Sequence, residues 1–182
     1  MNIILLFDRI VSKLQREYWR YLFRKRINCE HKDFSILGKP ILINKNIKLG
    51  HNVEIYPHVM FFGDGLIVIG DNVDIGTGTI IYASKKGGIQ IGNNTIVAAQ
   101  SYIIDMDHGT YANKLIRDQN NTVSQVTIGN DVWIAAGCKV LKGSRIHDGA
   151  IIGAASLVKG EIPENTIAFG VPAKAYKMRE IK

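Results

Sequence analysis

Cysteine is nearly absent from these 182 residues: Cys29 and Cys138 are too few for a disulfide framework and suit a reducing compartment. Long apolar runs are missing too. No stretch approaches the roughly 18–20 apolar residues of a spanning helix. The first apolar run, Ile3 to Phe7, is closed by Asp8 and Arg9, so an export leader is not expected. Proline is scarce, with 4 residues against 18 glycines, which favours many regular turns over a disordered linker. The expectation is a cytoplasmic chain of one domain, or one domain with an appendage.

Positive charge is unevenly spread. Residues 1–32 hold eight Lys/Arg against Asp8, Glu17 and Glu30, a net +5 of the chain's +7. The remaining residues carry only +2, so the body of the chain is not marked as a nucleic-acid surface. Within the basic segment, residues 2–27 read as one helix. Ile3, Phe7, Ile10, Leu14, Tyr18 and Leu22 recur at three- and four-residue spacing and form an apolar stripe. Two placements follow. The stripe packs on its own domain or a neighbouring subunit, or, with Trp, Tyr and Arg beside it, lies on an anionic membrane surface.

From Ile41 the helical spacing gives way to a period of six. Ile43, Leu49, Ile55 and Phe61 open the series, and two extra residues near Gly63-Asp64-Gly65 reset it to Ile69, Ile75 and Ile81. Four more near Lys85-Lys86-Gly87-Gly88 reset it to Ile91, Val97 and Ile103. After a polar, out-of-register loop over 104–126 come Ile128, Ile134, Val140, Ile146, Ile152 and Val158. The fifth place of each hexapeptide is small or β-branched, as in Val73, Thr79, Cys138 and Ser156, and the second is often Gly or Ala. Each hexapeptide reads as a short strand and a turn, three making one triangular coil that buries its face by stacking. Sixteen such units predict a mainly β solenoid of about five coils. The domain layout is then a basic helix over 1–32, the repeat over 33–172 with loop 104–126, and a short C-terminal helix or tail over 173–182.

The ending carries a family resemblance. Asn130-Asp131-Val132-Trp133-Ile134-Ala135-Ala136-Gly137, then Ile152-Gly153-Ala154-Ala155-Ser156-Leu157-Val158, then Phe169-Gly170-Val171-Pro172-Ala173-Lys174 resemble three signature stretches of hexapeptide-repeat acetyltransferases of the xenobiotic and sugar branch. The basic helix and the loop histidine look most like O-acetyltransferases of surface-polysaccharide clusters. The resemblance implies a left-handed parallel β-helix, a homotrimer with sites between subunits, acetyl-CoA as co-substrate, a sugar acceptor and no metal. Two departures are evident: Ala135 replaces the usual Gly, and Lys159-Gly160-Glu161 replaces the expected Thr-Lys-Asp.

Acyl transfer to a hydroxyl needs a base, an oxyanion donor and a carrier groove. Among five histidines, His31, His51, His58 and His147 fall in the basic segment or in repeat turns. His108 lies in the long loop after Asp105 and Asp107, 25 residues before Trp133, the place of the family's general base. Asp105, Asp107 or a main-chain carbonyl could orient its ring. The resemblance assigns Trp133, Ala135, Ala136, Ala154, Ala155 and Pro172 to acetyl-CoA, with Ala136 N–H facing the oxyanion and Lys159, Lys174 and Lys177 near the phosphates. Acceptor contacts are expected from the early coils and insertions: Tyr82, Lys85 and Tyr111, with Tyr56, His58 and Asn113 nearby. O-acetylation of a polysaccharide precursor is the first reading, and N-acetylation of a nucleotide-linked amino sugar the alternative. Zinc hydration chemistry would need histidines that the sequence does not cluster, and the intact loop histidine argues against a scaffold without activity.

Overall fold

Inward residues of successive coils stand directly above one another, and this vertical register is what the period of six encodes. In the computed structural model, which describes residues 3–180, three parallel sheets form the faces of a prism. The first face stacks Ile36, Ile55, Ile75, Val97, Ile134, Ile152 and Ala168. The second stacks Leu42, Phe61, Ile81, Ile103, Val140 and Val158. The third stacks Leu49, Ile69, Ile91, Ile128, Ile146 and Ile162. Most are fully buried, each contributing roughly 1.5–3 kcal/mol. Residues at the fifth place are buried beside them. Their hydroxyls stay satisfied by donating to carbonyls, as Thr95 does to Gly129 (2.9 Å) and Ser144 to Val158 (3.1 Å).

The β-helix is longer than the sequence suggested. The first face has seven levels and the other two have six, so six full coils and the start of a seventh replace the expected five. The added levels are Ile36 before the expected series and Ile162 and Ala168 after it. Within the first coil the strict period also breaks, since Leu42 and Leu49 are seven apart. For the same reason Ile43 is not an inward residue. Leu42 pairs with Phe61 and is buried, whereas Ile43 is 60% exposed.

Helix α1 (Ile3–Arg26) closes the base of the prism. Phe23 sits over it with ring centroids 6.0 Å from Phe34 and 5.7 Å from Phe61. It is the one buried residue of the helix, and the stripe from Ile3 to Tyr18 is solvent-facing. The stripe therefore does not pack on its own domain. Asn2, included in the expected helix, lies outside the described residues. At the other end, Ala173–Met178 is not a helix. It runs antiparallel to Thr166–Gly170 and covers the open edge of the last coil, whose unpaired backbone groups favour a strand there. Residues 181–182 of the expected tail lie outside the described residues.

The three corners differ. At the third, joining the third face to the next coil, Asn52, Asn72, Asn94, Asp131 and Asn165 adopt left-handed φ of 51–57°, a region Asn and Asp tolerate. Their coils are laced together: Asn52 Nδ2 donates to Asn72 Oδ1 (2.9 Å), and Asn72 Nδ2 to Asn94 Oδ1 (3.0 Å). The second corner, between the second and third faces, receives every long insertion: 63–65, 84–88 and the loop after Ile104. The first corner keeps short turns throughout.

Candidate active site

Asp105 is the first residue of the loop and is wholly buried. Its carboxylate accepts the Ser84 amide (2.9 Å to each oxygen) and the Gly88 amide (2.6 Å). The insertion one coil below thus wraps around it. Gly87 makes that closeness possible, since a Cβ there would lie 2.3 Å from Asp105 Oδ2. Both Asp105 oxygens are engaged by backbone amides, so its place is at the root of the loop and not on the His108 ring. Among the described residues its carboxylate makes no hydrogen bond to His108. The backbone adds to the anchor: Ser124 N–H donates to Asp105 O (2.9 Å), and Gly143 N–H to Ser124 O (3.0 Å).

From this root Met106–Asp107 pairs antiparallel with Thr122–Val123, and His108 follows at the end of the short ladder. Asp107 faces Lys142 at 3.5 Å, a half-exposed ion pair across the loop's base. Its carboxylate is drawn towards a lysine of the next coil. The His108 side chain is exposed and, among the described residues, makes no hydrogen bond. Beyond it the loop is shaped by Gln119, which accepts the Tyr111 amide (2.8 Å) and donates to Tyr111 O and Lys114 O (2.9 Å each). The tip presents Tyr111, Leu115 and Ile116 to solvent at 63–76% exposure.

The other expected residues lie mostly elsewhere on the prism. Ala135, Ala136, Ala154 and Ala155 are at the first corner. Ala136 O accepts the Ala155 amide (2.9 Å), and Gly137 N–H donates to Ala99 O (2.9 Å). The amides of Ala136 and Ala154 make no backbone hydrogen bond among the described residues. Trp133 projects from the first face between Ile96 and Ile151, half exposed. Pro172 and Lys174 extend this region upward, while Lys177 is already paired with Glu180 (2.8 Å). Lys159 sits at the second corner, on the His108 side and apart from the alanines. Tyr82 lies on the second face, its ring stacked on Phe62 (6.2 Å, 18°) and in register with Ile104. Lys85 is exposed in the 84–88 insertion.

Residues 125–160 match the bacterial transferase hexapeptide family, described as six repeats. That stretch carries the bacterial transferase hexapeptide repeat. Among curated proteins, the hexapeptide-repeat chain is 35% identical to the putative lipopolysaccharide biosynthesis O-acetyl transferase WbbJ of Escherichia coli K12, over 64% of this chain and 62% of that protein. It is 33% identical to the probable acetyltransferase Rv3034c of Mycobacterium tuberculosis, over 90% of this chain and 57% of that protein. It thus spans about three fifths of the length of these relatives. Among solved structures, AntD, an N-acyltransferase from Bacillus cereus in complex with dTDP and 3-hydroxybutyryl-CoA, superposes with a TM-score of 0.73 at 22% identity, covering 82% and 81% of the two chains. That likeness shows the fold.

Within one hexapeptide-repeat chain, His108 and the first-corner alanines stand at different corners of the prism. No single copy brings them together. The remaining histidines are held by local partners or turn geometry. His31 stacks on His51 (4.3 Å) and its Nε2 meets Leu49 O (3.0 Å), His51 faces Asp33, His147 faces Glu161, and His58 takes a left-handed turn position. Sequence reasoning missed Lys142, Gln119, Phe62 and the Ser84 and Gly88 amides. One signal was available for the last pair: both large interruptions of the repeat fall after the same face, one coil apart.

Proposed function

We propose that copies of this chain, assembled as a homotrimer, form an acetyl-CoA-dependent O-acetyltransferase that acts on a sugar hydroxyl of a capsule, O-antigen or exopolysaccharide precursor. One observation carries the reading. An unpartnered, exposed histidine stands at the end of a pinned hairpin on one corner, while free amides and a half-exposed Trp133 wait at another. Only a neighbouring copy can unite the two.

The outer surfaces favour such pairing. The third face presents Lys48, Val68, Gln90, Thr127, Arg145 and Glu161 in register, a row that is polar apart from Val68 and suited to water. The second presents Ile41, Met60, Ile80 and Tyr102 before Lys139 and Leu157, and the first turns from Ser35, Glu54 and Asp74 in its early coils to Ile96, Trp133, Ile151 and Ile167 in the later ones. Apolar stretches of this extent on two faces favour burial against another copy. The exposed apolar tip of the loop would reach the adjoining first corner.

In the shared site, His108 removes the proton of the acceptor hydroxyl as its oxygen attacks the thioester carbonyl. The tetrahedral oxyanion is met by the Ala136 N–H of the neighbouring copy. Collapse breaks the carbon–sulfur bond, and the imidazolium returns its proton to the departing CoA thiolate. Trp133 walls the acetyl site, and Ala135, Ala154, Ala155 and Pro172 line the pantetheine path, where small side chains permit close approach. Lys174 and Lys177 serve the phosphates, and Lys159 approaches from the second corner. Tyr82, Lys85 and Tyr111 face the acceptor. Asp107 is the remaining carboxylate able to swing from Lys142 to His108. The free thiols of Cys29 and Cys138 accord with a cytoplasmic setting.

Similarity to AntD and, at 29% identity over 83% of that protein, to a dTDP-4-amino-4,6-dideoxy-D-glucose acyltransferase of Escherichia coli supports a second reading, N-acylation of a nucleotide-linked amino sugar. Acetyl-CoA turnover against hydroxyl and amine sugar acceptors separates the two. On a hydroxyl acceptor, His108→Ala should lower kcat by about 10²–10⁴ with the native mass unchanged. Most activity retained by this variant on an amine favours the second reading, and no binding of CoA by the purified protein defeats both.

A further inference from the structure

The apolar stripe of α1 is turned away from the prism that the helix caps. Phe23 anchors one side of the helix, and Ile3, Phe7, Ile10, Leu14, Tyr18 and Tyr21 line another, all 50–79% exposed. Helix Ile3–Arg26 carries seven Lys/Arg against Asp8 and Glu17. Lys13, Arg16, Arg20 and Arg24 gather along one flank of the stripe, while Lys25 lies beside Tyr21 and Arg26 donates to Leu42 O of the first coil (3.1 Å). Lys13, Arg16 and Arg20 border one hollow of about 280 Å³, and Arg20, Arg24 and Lys32 border another of about 270 Å³. Glu17, paired with Arg20, is the one acid in either.

We propose that α1 docks on an anionic lipid surface, lying in its plane with Ile3, Phe7, Ile10 and Leu14 among the acyl chains and the basic flank on the headgroups. Tyr18 and Tyr21 have the amphipathic character that suits the boundary. A second copy is a poor occupant. Continuing the heptad of Ile3, Phe7, Ile10 and Leu14 puts Glu17 and Arg24 into the seam, so the stripe follows a straight helix and not a coiled coil. Pairing two helices of net +5 would also set like charge against like. An anionic membrane supplies both an apolar interior and the opposite charge. This surface goes beyond the acyl-transfer reading and does not depend on it.

The test is co-sedimentation of the full chain with vesicles. Wild type should pellet with phosphatidylglycerol vesicles, stay in solution with phosphatidylcholine vesicles, and be released from the former by high salt. Phe7→Glu with Leu14→Glu should lower partitioning by at least about tenfold, with native mass and circular dichroism unchanged. Lys13→Glu with Arg16→Glu should also weaken it. Three results would overturn the proposal: no pelleting of wild type with anionic vesicles, equal pelleting of the Phe7/Leu14 variant, or a fall in that variant's native mass, which would show another copy covering the stripe. Turnover with a soluble acceptor should be the same in the Phe7/Leu14 variant and wild type, which separates loss of docking from loss of the enzyme.

Discussion

Asp105 takes the Gly88 amide at 2.6 Å inside the prism and thereby ties the histidine loop to the insertion one coil below. The same carboxylate accepts the Ser84 amide, so its removal strands two backbone donors. Asp105→Ala should destabilise the protein by about 2–4 kcal/mol, read from urea unfolding. Turnover should fall because the root of the His108 hairpin shifts. The pH midpoint of the residual activity should stay where wild type has it. A moved midpoint would mean that Asp105 acts on the imidazole directly and would sink the anchoring role.

The fold was largely legible because a β-helix repeats its instruction. Each inward Ile or Val makes the same demand at the same spacing, and more than a dozen agreeing positions outweigh local ambiguity. Legibility failed where the repeat has no neighbour on one side. In the first coil one extra residue between Leu42 and Leu49 shifts the inward place from Ile43 to Leu42, and the apolar character of both hides it. At the last coil Ala173–Met178 must satisfy an open edge, a tertiary need with no local pattern. The site was half legible. His108 stood out because the loop breaks the period, but the role of Asp105 depends on amides 17 and 21 residues earlier, which only stacking brings beneath it.

The asparagine lacing of the third corner makes a separable prediction. Asn72 has φ of 55°, accepts from Asn52 and donates to Asn94. Asn72→Ala loses two hydrogen bonds and forces an alanine into the left-handed region, for roughly 2–3 kcal/mol in all. Asn72→Gly loses the bonds without the strain and should cost about 1 kcal/mol less. Equal urea midpoints for the two variants would show that conformation contributes nothing at this corner.

Acid should act on two aspartates in opposite directions. Asp148 is held below the usual carboxylate range by the Asn130 backbone amide first and its side-chain amide second. Its folded value lies below the unfolded value of about 3.9, so its contribution is present above that pH and fades as pH falls through the folded value. Asp74 is pushed up, first by burial and then by Glu54, its neighbour in register. Between its unfolded and folded values the native state holds the extra proton, so stability falls as pH rises through that window. Asp74→Asn should therefore match wild type near pH 3 and exceed it at pH 7. Urea midpoints across that range decide the sign. A variant that is less stable at pH 7 would mean that the charge is favourably solvated or paired.

The register of the first coil can be tested at two adjacent residues of similar size. Leu42 is buried against Phe61 and close to the Phe23 cap, while Ile43 faces solvent. Leu42→Ala should cost about 2–4 kcal/mol through lost burial and a cavity under the helix. Ile43→Ser should stay within about 0.5 kcal/mol of wild type. The reverse ranking would restore a strict period of six through Ile43 and Leu49 and take away the extra residue at the second corner. Because Leu42 belongs to the same apolar layer as Phe23, its loss should also loosen α1. Faster proteolysis near Arg26 in Leu42→Ala than in Ile43→Ser would show that the helix is held by the first coil rather than by its own propensity.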